Sequence, residues 1–277
     1  MEQKTIVITG ASDGVGAAAA RELAGRGAQV VLVGRSPQKT TALAEELGAP
    51  HHLADFASLA QVRRLAAELD AAYPRIDVLA NNAGGIMGSK RKVTEDGNEL
   101  TFQVNHLAGF LLTTLLMDKL IASRASVIQT SSVAARLAGR VELDNLQLEH
   151  GYSAQSAYGA SKLENILFTR ELHRRFRDQG ISAAAFHPGV VGTNFALDTD
   201  SPMRFFYAAG FLRKLFTITP ERGADQLVWL ADGTPGTTWQ SGGYYEKRKP
   251  GHTAAQADDA ETARRLWDAS ARLVDPA

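Results

Sequence analysis

Short apolar runs alternate with helical stretches along most of the chain. Thr5–Thr9 is a β-branched run of strand length, and a glycine-rich turn separates it from a helical stretch over Ala17–Arg26. Gln29–Val33 predicts the next strand. Ser36-Pro37 then supplies an N-cap and a proline at the first helical position, opening a helix to about Leu47. His51–Ala54 is a weaker strand, Ser58 caps a helix to about Tyr73, and Ile76–Ala80 is a further strand. An apolar stripe at Leu100, Val104, Leu107, Leu111 and Leu115 predicts one long helix from Glu99 to Ser123. Ala125–Thr130 follows as a strand, Ala157–Gln179 as a helix and Ile181–Phe186 as a strand. Strands alternating with helices in this way predict an α/β fold, a doubly wound parallel sheet with helices on both faces.

The rhythm breaks over residues 195–219, which are rich in Phe, Arg, Pro and Gly. It resumes with a helix over Pro220–Leu230, a late strand near Gly243–Glu246 and a charged amphipathic helix over Asp258–Leu273. No internal repeat or linker divides the chain, so residues 1–277 are expected to form a single Rossmann-type domain. Residues 195–219 are then an insertion over the sheet. Arg204, Phe205, Phe206, Tyr207, Phe211 and Phe216 within it either line an apolar substrate pocket as a lid or form an interface or core helix.

Composition narrows the function classes. Thirty basic residues cancel thirty acidic ones, which argues against a nucleic acid or an anionic membrane surface as partner. Lys90-Arg91-Lys92 reads as a solvated loop. The absence of cysteine excludes disulfides, thiol nucleophiles and Cys-ligated metals, and the histidines show no metal-ligand spacing. No signal peptide and no long apolar run stand out, so a cytoplasmic protein without a membrane partner is expected.

The turn after the first strand reads Thr9-Gly-Ala-Ser-Asp-Gly-Val-Gly16. Gly10 permits a tight turn, and Gly14 and Gly16 let the backbone and the following helix approach a pyrophosphate. The second strand ends in Gly34-Arg35-Ser36, with no carboxylate to hold a ribose 2′-hydroxyl and a guanidinium suited to a 2′-phosphate. Ser12 can add a hydroxyl there, whereas Asp13 would repel the phosphate. NADP(H) is the expected cofactor. Asp55 follows the third strand, where it can reach an adenine edge or stand as a surface acid. Asn81-Asn-Ala-Gly84 ends the fourth strand, to pack against the cofactor or to stabilise the sheet end.

Tyr158 and Lys162 stand one helical turn apart on one face. A tyrosine pKa near 10 lies roughly 3 units, or about 4 kcal/mol, too high for neutral acid–base work. A neighbouring ammonium closes part of that gap, which makes the pair a plausible proton donor and acceptor. Ser131 and Ser132 end the fifth strand, where one hydroxyl can hold a substrate oxygen. Asn105, inside the apolar helix, needs hydrogen-bond partners, as a core-network residue or as a link in a proton path.

Together these residues resemble the short-chain dehydrogenase/reductase family. The matching stretches are 9–16, Asp55, 81–84, Asn105, Ser132, Tyr158-Gly-Ala-Ser-Lys162 and His187-Pro-Gly-Val-Val-Gly-Thr193. Asn105-His-Leu-Ala-Gly-Phe-Leu-Leu-Thr113, Asp144-Asn-Leu-Gln147, residues 161–169 and Leu266-Trp-Asp-Ala-Ser270 resemble the branch that includes retinol dehydrogenases. Protochlorophyllide reductases share much of the pattern but use a cysteine near the active site, which this chain lacks.

The resemblance implies hydride transfer between nicotinamide and the carbonyl or alcohol carbon of a fairly apolar small molecule. It assigns Tyr158 as the acid in reduction and the base in oxidation. Lys162 lowers the Tyr pKa and bonds the nicotinamide ribose, Ser132 positions the substrate oxygen, and Asn105 holds a water next to Lys162. Thr193, after the turn at Pro188-Gly189, meets the carboxamide. The implied cofactor set is Gly10, Ser12, Asp13, Gly14, Val15, Gly16, Arg35, Ser36, Asp55, Phe56, Asn82, Ala83, Gly84, Tyr158, Lys162, Pro188, Gly189, Val191 and Thr193. A polyketide- or steroid-type tailoring ketoreductase and a non-catalytic NADP(H)-sensing or scaffold protein are the alternatives. Many relatives pair the helices equivalent to Glu99–Ser123 and Ala157–Gln179 across a two-fold axis, so a homo-oligomer, dimer or tetramer, is expected.

Overall fold

The computed structural model describes residues 3–189 and 218–275. The expected lid lies almost wholly outside the described residues, as do Val191 and Thr193. The expected runs become strands β1 (Thr5–Thr9), β2 (Gln29–Gly34), β3 (His51–Leu53), β4 (Val78–Asn81), β5 (Ser126–Thr130), β6 (Ser182–His187) and β7 (Gly243–Glu246), and a two-residue exposed strand that the pattern did not announce, β8 (Lys249–Pro250), follows. They form one sheet in the order β3-β2-β1-β4-β5-β6-β7-β8, parallel except for the β8 edge. This is the expected doubly wound, Rossmann-type architecture.

Alternation along the strands sends side chains to two cores. Val7, Val31, Leu79, Val127 and Ala183 pack on one face. There they meet helices α3 (Leu59–Ala72), α5 (Ala108–Leu115) and α8 (Ala154–Phe176). Ile6, Ile8, Leu32, Ile128 and Phe186 pack on the other face, against α1 (Gly14–Gly25) and α9 (Pro220–Asp232). The strand order reverses beside β1, between β2 and β4. That is where a doubly wound sheet opens a crevice at its carboxyl ends.

Caps form much as expected. Ser36 caps α2 (Pro37–Leu47), accepting from the Lys39 N–H, and Thr219 caps α9 from the residue before its leading proline. Ser58 occupies the cap position of α3 without a capping bond, and the Leu59 N–H donates instead to Asp96.

The single long helix expected over Glu99–Ser123 is interrupted. A short helix α4 (Leu100–Phe102) passes into a π-helical turn (Gln103–Leu107), then α5, and α6 (Met117–Ala122) begins after a break at Leu116. Leu107 and Leu111 of the stripe are buried in the core and Leu115 at its end is exposed, while the widened turn carries Asn105 toward a neighbouring loop. Single π turns of this kind are frequent at functional sites. His106 in the same turn is buried and bonded to Ser270 at 2.9 Å, and burial pulls its pKa down to about 4.

Two further α-helices are the short α7 (Ala134–Leu137) and the C-terminal α10 (Ala260–Val274). Trp267 of α10 stacks on Phe168 with ring centroids 5.5 Å apart and stands edge-on to Phe110 at 5.0 Å. Phe110 of α5 and Phe168 of α8 are therefore covered by the chain's own last helix.

Candidate active site

Helix α8 starts one turn earlier than the pattern suggests, with a capping box between Ser153 and Ser156. Tyr158 is thus seated one turn inside a rigid helix. The Lys162 ammonium lies 5.6 Å from the Tyr158 ring centroid. Lys162 is buried, and its Nζ donates to the Thr130 carbonyl at the end of β5, 3.0 Å away. Burial lowers its pKa to about 8. Removal from water disfavours the charged amine, and the Thr130 carbonyl is the partner that holds it.

The two serines after β5 separate clearly. Ser131 is buried, and its hydroxyl donates to the Lys162 carbonyl at 2.6 Å, tying α8 to the strand. Ser132 is partly exposed, and its Oγ accepts from the Ala134 N–H at 3.2 Å. Its hydroxyl proton has no acceptor among the described residues.

The Asn105 side chain donates to the Gly85 carbonyl and to Ser161 Oγ, both at 2.9 Å, and accepts from the Gly85 N–H at 2.8 Å. Both amide protons are therefore committed, and the residue pins the loop after β4 to α8. A Cβ on Gly84 would stand 2.8 Å from Asn105 Oδ1 and 3.1 Å from Lys162 Nζ. The fourth-strand turn, Asn105 and Lys162 thus meet at one point.

The glycine-rich turn closes tightly. Gly10 has φ of 65°, and a Cβ there would lie 2.8 Å from the Ala83 Cα. A Cβ on Gly16 would be 2.3 Å from the Gly10 carbonyl oxygen. Asn82 clasps three strand ends. Its amide donates to the Thr9 and Gly10 carbonyls at 3.0 and 3.4 Å, and its oxygen accepts from Thr130 Oγ1 at 3.1 Å. The side chain thereby ties the sheet end together. The Asn82 and Ala83 N–H groups both donate to Thr9 Oγ1.

Asp13 caps α1 through the Gly14 N–H at 2.7 Å and forms an ion pair with Lys39 at 2.6 Å. Its charge, an objection to a phosphate nearby, is met by a lysine that sequence reasoning passed over. The only local signal was a cation in the first turn of α2, close after Arg35. Arg35 is exposed at the end of β2 and makes no ion pair among the described residues. A Cβ on Gly34 would lie 3.2 Å from Ser12 Oγ, so the glycine-rich turn and the Arg35 corner adjoin. Val15 stands in the first turn of α1 and Ser36 is engaged as a cap.

Asp55 accepts from the Ala57 N–H at 3.0 Å, and the Phe56 ring is buried in the core, which leaves only its backbone for a ligand. Pro188 and Gly189 follow β6 directly, Gly189 with φ of 94°.

Among the described residues, no group of three or more His, Cys, Asp or Glu is placed to hold a metal ion. No described helix is long and apolar enough to cross a membrane.

Residues 4–203 match the short chain dehydrogenase family model. A Streptomyces protein named for daunorubicin C-13 ketoreductase activity is 44% identical over 98% of this chain and 92% of its own length. Human retinol dehydrogenase 13 is 40% identical over 98% of this chain and 84% of its length. A crystal structure of a Mycobacterium paratuberculosis protein superposes with a TM-score of 0.78 and 34% identity, over 98% of this chain and 93% of the other. With the glycine-rich turn, the serine-ended strand and the Tyr–Lys helix in one crevice, the chain belongs to the short-chain dehydrogenase/reductase family, in its retinol dehydrogenase-like branch.

Proposed function

We propose that this oxidoreductase uses NADP(H) to reduce the carbonyl of a fairly apolar small molecule. The observation that carries the cofactor choice is the exposed Arg35, without an ion pair among the described residues and next to Gly34, which approaches Ser12, with Lys39 already balancing Asp13. With Asp13 balanced by Lys39, the charge of Arg35 after β2 is left to favour a 2′-phosphate over a bare ribose. The tight turn at Gly10 and Gly16 lays the glycine-rich loop against the α1 N-terminus, whose dipole favours a pyrophosphate.

When bound, the nicotinamide supplies the hydride. Tyr158 gives its phenolic proton to the substrate oxygen. Lys162, in its charged form, lowers the cost of the resulting phenolate. Ser132 donates its uncommitted proton to the same oxygen and steadies charge building there. Ser131 and Asn105 act one step back, the first fixing the Lys162 backbone and the second fixing the loop at Gly85.

The relative named for daunorubicin C-13 ketoreductase activity supports a ketone on a daunorubicin-like molecule, and the retinol dehydrogenases support a retinoid. The test is fluorescence titration of the purified protein with NADPH and NADH, followed by NADPH oxidation with a panel of ketones and retinal. Tighter NADPH binding with turnover of a ketone supports the reading. Preferential NADH binding overturns the cofactor choice, and tight NADPH binding without turnover of any carbonyl favours a sensor.

A further inference from the structure

The carboxyl end of β7 carries a polar pair that the reduction chemistry leaves unused. Tyr244 is buried, and its hydroxyl donates to Glu246 Oε1 at 3.0 Å. Glu246 is only half-buried, and its second oxygen has no hydrogen bond and no ion pair among the described residues. The basic residues after it do not compensate it. Lys247 and Arg248 form the turn into β8, and Arg248 is drawn away to Asp225 and Gln226 of α9 on the opposite face. A Cβ on Gly251 would sit 2.8 Å from both Glu246 Cγ and the Tyr244 ring, so the returning chain holds both side chains in place.

Register puts this pair beside the catalytic corner. Ala185 pairs with Tyr244 and His187 with Glu246, while Thr130 pairs with Phe186. Ser131–Ser132, His187 and Glu246 therefore end three adjacent parallel strands at one level. Strands lie about 4.8 Å apart, so Glu246 stands roughly 10 Å across the sheet end from the strand that carries Ser132. By alternation Tyr244, Glu246 and His187 share the α8 face, and Tyr244 packs in one cluster with Ala135 of α7 and Leu163 of α8. Arg136 and Tyr158 both act electrostatically on the Tyr244 phenol, whose pKa burial pushes up. His187 Nδ1 is buried without a hydrogen-bond partner among the described residues, and Glu246 acts electrostatically on its ring.

The geometry points to Glu246, oriented by Tyr244, as a substrate-recognition carboxylate that selects carbonyl compounds bearing a hydrogen-bond donor, a hydroxyl or an ammonium, near the reacting carbon. A carboxylate with one oxygen free of hydrogen bonds and ion pairs among the described residues favours a donor and penalises an apolar group set against it. This inference rests on the carbonyl-reduction reading above.

The test compares kcat/KM for acetophenone with those for its α-hydroxy and α-ammonium derivatives, using NADPH. Hydrogen bonds to a charged group correspond to about tenfold to a hundredfold, the preference expected of the native protein for both derivatives. Glu246→Ala brings both ratios toward one. Glu246→Gln keeps part of the hydroxyl ratio, since an acceptor remains, and loses the ammonium ratio. Tyr244→Phe lowers both ratios in part. NADPH fluorescence titration of each variant shows that it is folded. Native protein that reduces acetophenone as readily as its derivatives overturns this inference and leaves carbonyl reduction standing, as does a preference that survives Glu246→Ala. Failure to reduce any carbonyl overturns both.

Discussion

The Ser131 hydroxyl meets the Lys162 carbonyl at 2.6 Å, joining the end of β5 to the helix that carries Tyr158 and Lys162. The bond uses up one of two adjacent serines and leaves the other to face the crevice. The consequences of replacing them differ in kind. Ser132→Ala is expected to lower kcat/KM by about a hundredfold to a thousandfold, the range for losing a donor to a developing oxyanion. Its melting temperature stays near that of the native protein. Ser131→Ala removes one buried hydrogen bond between β5 and α8, whose Lys162 carbonyl keeps its helical partner, and costs about 1 kcal/mol of stability, read as a lower urea midpoint. Parallel kinetics and denaturation of the two variants check the assignment.

Lys162 makes stability depend on alkaline pH. Its folded pKa of about 8 lies below the 10.5 of a free lysine. Between those values the unfolded chain binds more protons, so stability rises with pH across that window. Below about pH 8 the full cost of the buried charge is present, about 3 kcal/mol. Lys162→Met is expected to flatten the rise, measured as urea midpoints from pH 7 to about 10.5. The same charge supports Tyr158, so kcat/KM for carbonyl reduction should fall as pH rises through about 8 in the free enzyme.

Asp13 and Lys39, 2.6 Å apart and both about half exposed, form a pair of little intrinsic worth. Its importance is expected in cofactor choice. Arg35→Asp should weaken NADPH by about a hundredfold and Lys39→Ala by about tenfold, with NADH little changed. Asp13→Asn removes the acid and frees Lys39, and is expected to tighten NADPH a few-fold. Titrations at low and high salt check this, since raised ionic strength should shrink every one of these differences.

Trp267 anchors α10 between Phe110, Phe168 and Phe176, with the Arg175 guanidinium over its ring. Trp267→Ala is expected to cost about 3–5 kcal/mol, seen by thermal denaturation. It also uncovers an apolar face of α5 and α8. Light scattering should then show a variant more associated than the native chain at equal concentration.

The strands and most caps were legible in the sequence because their causes are local. β-branched runs such as Thr5–Thr9, the Ser36-Pro37 start of α2 and the close glycine approach at 9–16 each act within a few residues. The Tyr158–Lys162 spacing likewise follows from helical period alone. What only the tertiary structure decided rests on contacts between distant positions. The leucine stripe from Leu100 to Leu115 gave no sign of the π turn at 103–107, where Asn105 bonds the Gly85 backbone and Ser161. Ser131 and Ser132 have the same chemistry and adjacent places, and only the packing of α8 against β5 sets one hydroxyl on a carbonyl and the other toward the crevice. Asp13 looked misplaced until folding brought Lys39 beside it. Local propensity is written in neighbouring residues, whereas the pairing of polar groups across elements is fixed by where the packed core places them.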